Sequence, residues 1–332
     1  MITTKKIARI CNVSVTTVNR ALHDRPDINQ ATKEKILSVA TEYGYRPHLM
    51  ARSLAKGKSM LIGVVVFDIQ NPFFPQLINV IKNSLKQSGF FIHLGITNNS
   101  IHEELECLDM MAGMKVDGII LLPLNHGPDF EFFLERLHTP VVTICNRTSE
   151  RYSFVGVREK EAMKQATEYI LHHDYATLIY LSPPLRYAGK RNIYTINERF
   201  AGFKEAVSHS DVRPETFVIK EKNYLERIDQ IISRVTSRTA ILCSSDVYAL
   251  EVLMLLQKTG YSIPEDIGIM GFDNIEFLKY ITPPLTTVSY PIKRIGEEAV
   301  AALFQVIEGG QQQQQIPPPI LLDTEIIPGA SV

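Results

Sequence analysis

Residues 8–22 read ARICNVSVTTVNRAL, and this stretch decides how the chain begins. Just upstream, Thr3 is placed to cap a helix starting near Thr4. Ile7 and Ile10, three apart, predict one apolar helical face. Asn12 follows, one of the few non-glycine residues that tolerates the left-handed backbone of a tight turn. Ser14 can cap a second helix, on which Val18 and Leu22 continue the apolar face. A third helix fits 30–43, with Asn29 as cap, Ile36, Val39 and Ala40 inward, and Gly44 at its end.

Two short helices across a tight turn, followed by a third, describe a helix-turn-helix unit. In such a unit the start of the second helix reaches base edges in the major groove. Val15 is suited to a thymine methyl, Thr16 to either base type and Arg20 to guanine. Thr3, Ser14, Thr17 and Asn19 fall where phosphates pass. The competing reading is a plain three-helix bundle with exposed threonines and arginines. Charge favours DNA. Residues 1–58 hold 11 Lys/Arg against 4 Asp/Glu, whereas the remainder holds 24 against 32. A basic head on an acidic body suits a polyanionic partner.

The chain has 332 residues, enough for more than one domain, and is 45% hydrophobic. No apolar run approaches the roughly 20 residues that span a bilayer. The opening MITTKKIARIC has no signal-peptide core, so a cytoplasmic, nucleoid-associated protein is expected. Four scattered cysteines, without CxxC spacing, read as reduced thiols rather than metal ligands, and no cofactor is expected. AKGKS, 55–59, lacks the glycine a phosphate loop needs five positions before Gly57.

From residue 60 strands alternate with helices. LIGVVVF is a strand, and PFFPQLINVIKNSLKQSG a helix with Asn71 as cap. FFIHLGI, DGIILLP and PVVTIC follow as strands, and a second series runs through TLIYLS, TFVI, AILCSS and IGIMGF. The alternation predicts doubly wound parallel sheets. Ligands of such sheets bind beyond the strand ends. That rule selects Asn71, Phe73 and Phe74, then Asn146 and Arg147, then Ser245, Asp246 and Asp273, and Arg199, which opens RFAGF, and Tyr290, on a crossover, join the expected set. Arginine and carboxylate together suit vicinal hydroxyls. The aromatic pair has core packing as its alternative, and Cys145 competes with Asn146 for one position. Arg158 and the basic YAGKRN, 187–192, leave an anionic effector as a second possibility.

KKIARICNVSVTTVNRAL followed by YGYRPHLMARSLAKGKSMLIGVVVFDIQNPFF resembles the lactose-repressor/galactose-repressor family, as do IPEDIGIMGFDN and TPPLTTV further on. The resemblance runs from about residue 3 to 328 in the expected order. It departs at Asn12, where glycine is usual, at Asn19 (serine), at His48 and at Ser245 (asparagine at both). It implies an N-terminal all-α helix-turn-helix domain, 1–46, and a hinge, 47–58. It further implies an α/β periplasmic-binding-protein-like core of two doubly wound lobes, 59–332. Lobe one would take about 59–158 and 290–317, lobe two about 159–289 and 318–330.

An isolated hinge helix of some eight residues is unstable in water and needs a partner. The resemblance implies that two such helices pair in the minor groove, Leu54 wedging between base pairs and His48, Ala51 and Arg52 nearby. The expected function is thus a homodimeric DNA-binding regulator, a repressor on a near-palindromic operator, gated by a sugar-like effector between the lobes. The alternative is a sugar-binding component of a transport system. No nucleophile–base pair or metal spacing argues for an enzyme.

Overall fold

The computed structural model describes residues 2–22, 25, 27–45, 58–182, 193–211, 213–309 and 317–332. They group into two units, 1–59 and 60–332. The hinge positions His48, Ala51, Arg52 and Leu54, and the basic segment 187–192, lie outside the described residues.

The first unit holds α1 (Thr4–Cys11), α2 (Val15–Leu22) and α3 (Gln30–Glu42). The Thr3 side chain accepts from Lys6 N, and Asn29 Oδ1 from Ala31 N at 2.9 Å. Asn12 sits at φ 57°, ψ 49° and turns the chain between α1 and α2. The side chains that meet inside are Ile7, Ala8, Cys11, Val18, Ala21, Ile36 and Ala40. Two sequence expectations shift here. Ile10 is 40% exposed, and Leu22 and Val39 are half-buried. On the eight-residue α1 and α2 the inward stripe is narrow, and the small Ala8 and Ala21 on it leave Ile10 and Leu22 at its margin.

The second unit contains two six-stranded sheets. The first lobe runs β1 (Leu61–Val66), α4 (Phe73–Gln87), β2 (Phe91–Ile96), α5 (Ile101–Gly113), β3 (Gly118–Leu121), α6 (Pro128–Arg136), β4 (Val141–Ile144) and β5 (Ser153–Val157). The second runs α7 (Glu159–Leu171), β6 (Thr177–Leu181), α8 (Tyr194–His209), β7 (Glu215–Ile219), α9 (Tyr224–Ile232), β8 (Thr239–Cys243), α10 (Asp246–Thr259) and β9 (Ile267–Asp273), then a 3₁₀ turn at Glu276–Tyr280 and β10 (Thr286–Ser289). α11 (Ile292–Gly309), β11 (Ile320–Leu322) and β12 (Glu325–Ile327) close the chain.

Sheet one has the order β11-β5-β4-β3-β1-β2 and is parallel throughout. Sheet two has the order β12-β10-β9-β8-β6-β7, antiparallel only at β12. Continuous burial of β3, β4, β5, β6, β8 and β9 matches strands covered by helices on both faces. α11 returns to lobe one: a Cβ on its Gly296 would lie 2.6 Å from Val80 Cγ1 on α4. The last passage between lobes falls between Leu322 and Glu325, later than the expected boundary after 317. The cause is pairing. β11 still extends sheet one beside β5 (Leu321 opposite Gly156), and β12 then joins β10.

Candidate functional site

A cavity of about 900 Å³ opens between the lobes of the second unit. Its wall is made by residues just past strand ends: Phe67 after β1, Asn98 and Asn99 after β2, Leu122 and Leu124 after β3, Cys145 and Asn146 after β4, Ser244 and Ser245 after β8, and Asp273 at the end of β9. This is where parallel sheets leave backbone ends uncovered and side chains free to face a ligand.

Asn71 Oδ1 accepts from Phe73 N at 3.0 Å, starting α4, so the sequence-level cap is real although Pro72 stands between them. Phe73 and Phe74 are both buried and both line the cavity. The two readings of the aromatic pair therefore hold together. Phe74 packs edge-on to Phe67 at 4.9 Å, and Phe73 edge-on to Tyr290 at 5.1 Å. The result is an apolar wall with fixed ring orientations.

Opposite stands a buried polar floor. Arg199, on the first turns of α8, donates from Nε to Glu159 Oε2 at 2.7 Å and from Nη1 to the Ser244 carbonyl. Its Nη1 lies 3.7 Å from Asp273 Oδ1, and its guanidinium covers the Phe272 ring at 3.7 Å. Tyr290, on the crossover between β10 and α11, donates to Glu159 Oε1 at 2.9 Å. The close approach of α7 and α8 makes this possible. A Cβ on Gly202 would sit 2.1 Å from the Lys160 carbonyl, so only glycine fits there.

Burial raises the pKa of Glu159, against the opposing pull of Arg199. Burial also raises Asp273, against the pull of Arg199, and the nearby Asp246 adds to the rise. For Arg199 burial disfavours the charge, but Glu159 and Asp273 outweigh it and hold the guanidinium protonated. Cys145 is pushed up to about 12 by burial, so it is an inert thiol on the wall. Backbone strain gathers here: Cys145 has φ 59° and Asp273 φ 119°, both left-handed positions for residues with a side chain.

The lobes are tied across the cavity. Thr195 Oγ1 lies 2.8 Å from Asn146 Oδ1 and 3.1 Å from the Cys145 carbonyl. Both Cys145 and Asn146 thus occupy the wall. Arg147 does not line the cavity; it points to Glu150, 3.6 Å away, because the left-handed Cys145 turns the chain outward.

Asp246 is likewise absent from the wall. It is fully buried, accepting from Thr287 Oγ1 at 2.6 Å and from Ile275 N at 2.9 Å, so it braces the loop carrying Asp273. Arg158 lies outside the cavity as well, paired with Asp323 at 3.1 Å.

Sequence reasoning missed Glu159, Thr195, Asn98 and Asn99. An acid at a helix start reads as a solvated first-turn charge, and only α8 packing over it reveals burial. TNNS after β2 was legible, since it too follows a strand end.

On the first unit, Val15 and Thr16 are exposed at the start of α2, with Arg20 one turn on, 3.3 Å from Asp27. Ser14 Oγ accepts from Thr17 N at 3.0 Å and lies 2.8 Å from Thr17 Oγ1. The two hydroxyls satisfy the helix start while remaining at the surface.

The family described as bacterial regulatory proteins, lacI family, matches residues 3–48, and the periplasmic binding protein-like domain matches residues 167–332. This chain belongs to the lacI family of bacterial regulatory proteins. The HTH-type transcriptional regulator MalR of Clostridium butyricum is 29% identical over 335 residues, 97% of each chain. The HTH-type transcriptional repressor PurR of Vibrio atlanticus is 29% identical, over 93% of this chain and 92% of its own. Among solved structures, the Lac repressor dimer bound to operator and the anti-inducer ONPF shares the fold with a TM-score of 0.83 at 20% identity, covering 99% of this chain and 98% of that one. The CelR–cellobiose complex gives 0.71 at 21%, covering both chains entirely.

The lacI-family architecture joins the helix-turn-helix unit to a periplasmic-binding-like core in one chain. The chain is a DNA-binding transcriptional regulator, and the transport alternative falls with that match. The relatives it matches are transcriptional regulators. Among the described residues no helix is long and apolar enough to cross a membrane.

Proposed function

We propose that this regulator is a cytoplasmic repressor whose operator affinity is set by a small sugar-like molecule held between the lobes. The observation that carries the reading is the cavity itself: an aromatic wall facing a floor of fixed donors and acceptors, at a volume suited to a small ligand. The CelR structure with cellobiose and the ribose operon repressor of Halalkalibacterium halodurans, 29% identical, support a sugar as the class. Asn71, Phe73, Phe74, Asn146, Arg199, Ser245, Asp273 and Tyr290 are the proposed effector residues.

On the DNA side the proposed contacts are Val15, Thr16 and Arg20 to bases and Thr3, Ser14, Thr17 and Asn19 to phosphates. His48, Ala51, Arg52 and Leu54 complete the set as hinge contacts. A homodimer places two α2 helices in successive major grooves. Met254, Phe277 and Tyr280, each exposed on lobe two, are the proposed pairing residues. Effector binding changes the lobe angle, hence the hinge spacing, with a coupling of about 1–3 kcal/mol.

The test is a thermal-shift screen of sugars, sugar acids and nucleobases, followed by operator binding with each hit. A hit that changes operator affinity supports the reading. Operator affinity untouched by every cavity-binding compound refutes it. Leu54→Ala should weaken operator binding and leave effector binding intact; equal operator affinity removes the hinge from the mechanism.

A further inference from the structure

Among the described residues lining the cavity, Arg199 is the sole cation, and it does not stand alone. Glu159 lies beneath it with no exposed surface on its side chain, 2.7 Å from Nε. Asp273 lies 3.7 Å from Nη1, and Asp68 sits on the rim. Two of the three guanidinium nitrogens are thus committed to protein acceptors. Glu159 is itself fixed by Tyr290 at 2.9 Å, so it cannot swing away when a ligand arrives.

A carboxylate or phosphate brought to Arg199 therefore meets a guanidinium already paired with the buried Glu159 carboxylate. A hydroxyl meets no such penalty. It can donate to Asp273 and accept from Arg199, and Ser244 Oγ, buried on the same wall with no partner among the described residues, offers a further neutral bond. The basic Arg158 lies outside the cavity, at the surface, 3.1 Å from Asp323.

Resting on the effector reading above, we infer that the cleft takes an uncharged polyhydroxylated ligand and that Glu159 is the residue that excludes anionic ones. Glu159 acts through Arg199 rather than by touching the ligand, so it is a positioning residue for specificity. Charge balance at this range is worth on the order of tenfold in affinity.

The experiment uses the full-length protein at pH 7, with calorimetry and thermal shift. The uncharged probes are D-ribose, D-glucose, maltose and cellobiose; the anionic probes are ribose 5-phosphate, glucose 6-phosphate, gluconate and glucuronate. Wild type should bind at least one uncharged sugar, and its charged counterparts about tenfold more weakly or not at all. Glu159→Gln, which keeps the shape and a hydrogen-bonding oxygen, should shift that ratio about tenfold toward the anions. It should also gain affinity for inorganic phosphate.

A charged probe that binds wild type as tightly as its uncharged counterpart overturns the inference while leaving the effector reading in place. A folded Glu159→Gln variant with an unchanged ratio overturns the role of Glu159. Should that variant not fold, the wild-type ratio decides alone. No response of wild type to either set refutes the effector reading, and the inference with it.

Discussion

Replacing Asp246 by alanine should cost stability out of proportion to the three heavy atoms it removes. Both carboxylate oxygens are engaged in a buried site, one by the Thr287 hydroxyl at 2.6 Å and one by Ile275 N at 2.9 Å. The carboxylate also fits against backbone with no spare room, since a Cβ on Gly271 would lie 2.1 Å from Asp246 Oδ1. Truncation leaves an N–H and an O–H buried without partners. Each orphan costs about 1–3 kcal/mol, so Asp246→Ala should lose roughly 2–6 kcal/mol. For a unit this large that is a fall of the order of 4–20 °C in melting temperature.

Asp246→Asn keeps one acceptor and a group of equal size, and should lose less than half as much. Urea unfolding followed by circular dichroism, with the melt as a second reading, checks both. The alanine variant should also lose effector affinity indirectly, through the freed Asp273 loop, whereas the asparagine variant largely keeps it. A change below about 0.5 kcal/mol for Asp246→Ala, the range of ordinary surface substitutions, would refute the bracing role.

Gly202→Ala should force α7 and α8 apart, costing about 1–3 kcal/mol or more and weakening binding of any sugar hit, because Arg199 then loses its register with Glu159; calorimetry beside a melting curve reads both. Asn12→Ala should destabilise the first unit by about 1 kcal/mol, whereas Asn12→Gly should be neutral or better, since φ 57° disfavours a Cβ. Hydrogen exchange at α1 and α2 in the full chain measures this. Burial raises Asp273 above the usual carboxylate range, with Glu159, Arg199, Asp246, Cys145 and Tyr290 around it. The folded state then keeps a proton that the unfolded chain has released, so stability should fall as pH rises from about 4 toward neutrality. Asp273→Asn should flatten that slope in urea midpoints taken at pH 5 and pH 8, although raised Asp246 contributes in the same direction.

Much of the cavity lining was legible because doubly wound sheets leave side chains uncovered past strand ends, and strand ends show in apolar runs. Asn71, Asn146, Ser245 and Asp273 were found that way. Asp246 follows the same rule by position yet points the other way, since one residue's advance into α10 rotates its side chain from the cavity into the β9–β10 layer. Arg147 failed for a similar reason, the left-handed Cys145 redirecting the chain after β4.

The amino-acid order alone determined the three-helix head, its turn at Asn12, the alternation of strands and helices, and the charge split between head and body. Those features depend on neighbours along the chain: capping, left-handed tolerance and apolar period act within a few residues. Tertiary structure alone decided that Glu159 lies buried under Arg199, that Thr195 ties Asn146 across the cleft, and that β11 and β12 part company at Asp323. These contacts join residues far apart in sequence, such as Glu159 and Tyr290, and their energies come from burial that no local window contains.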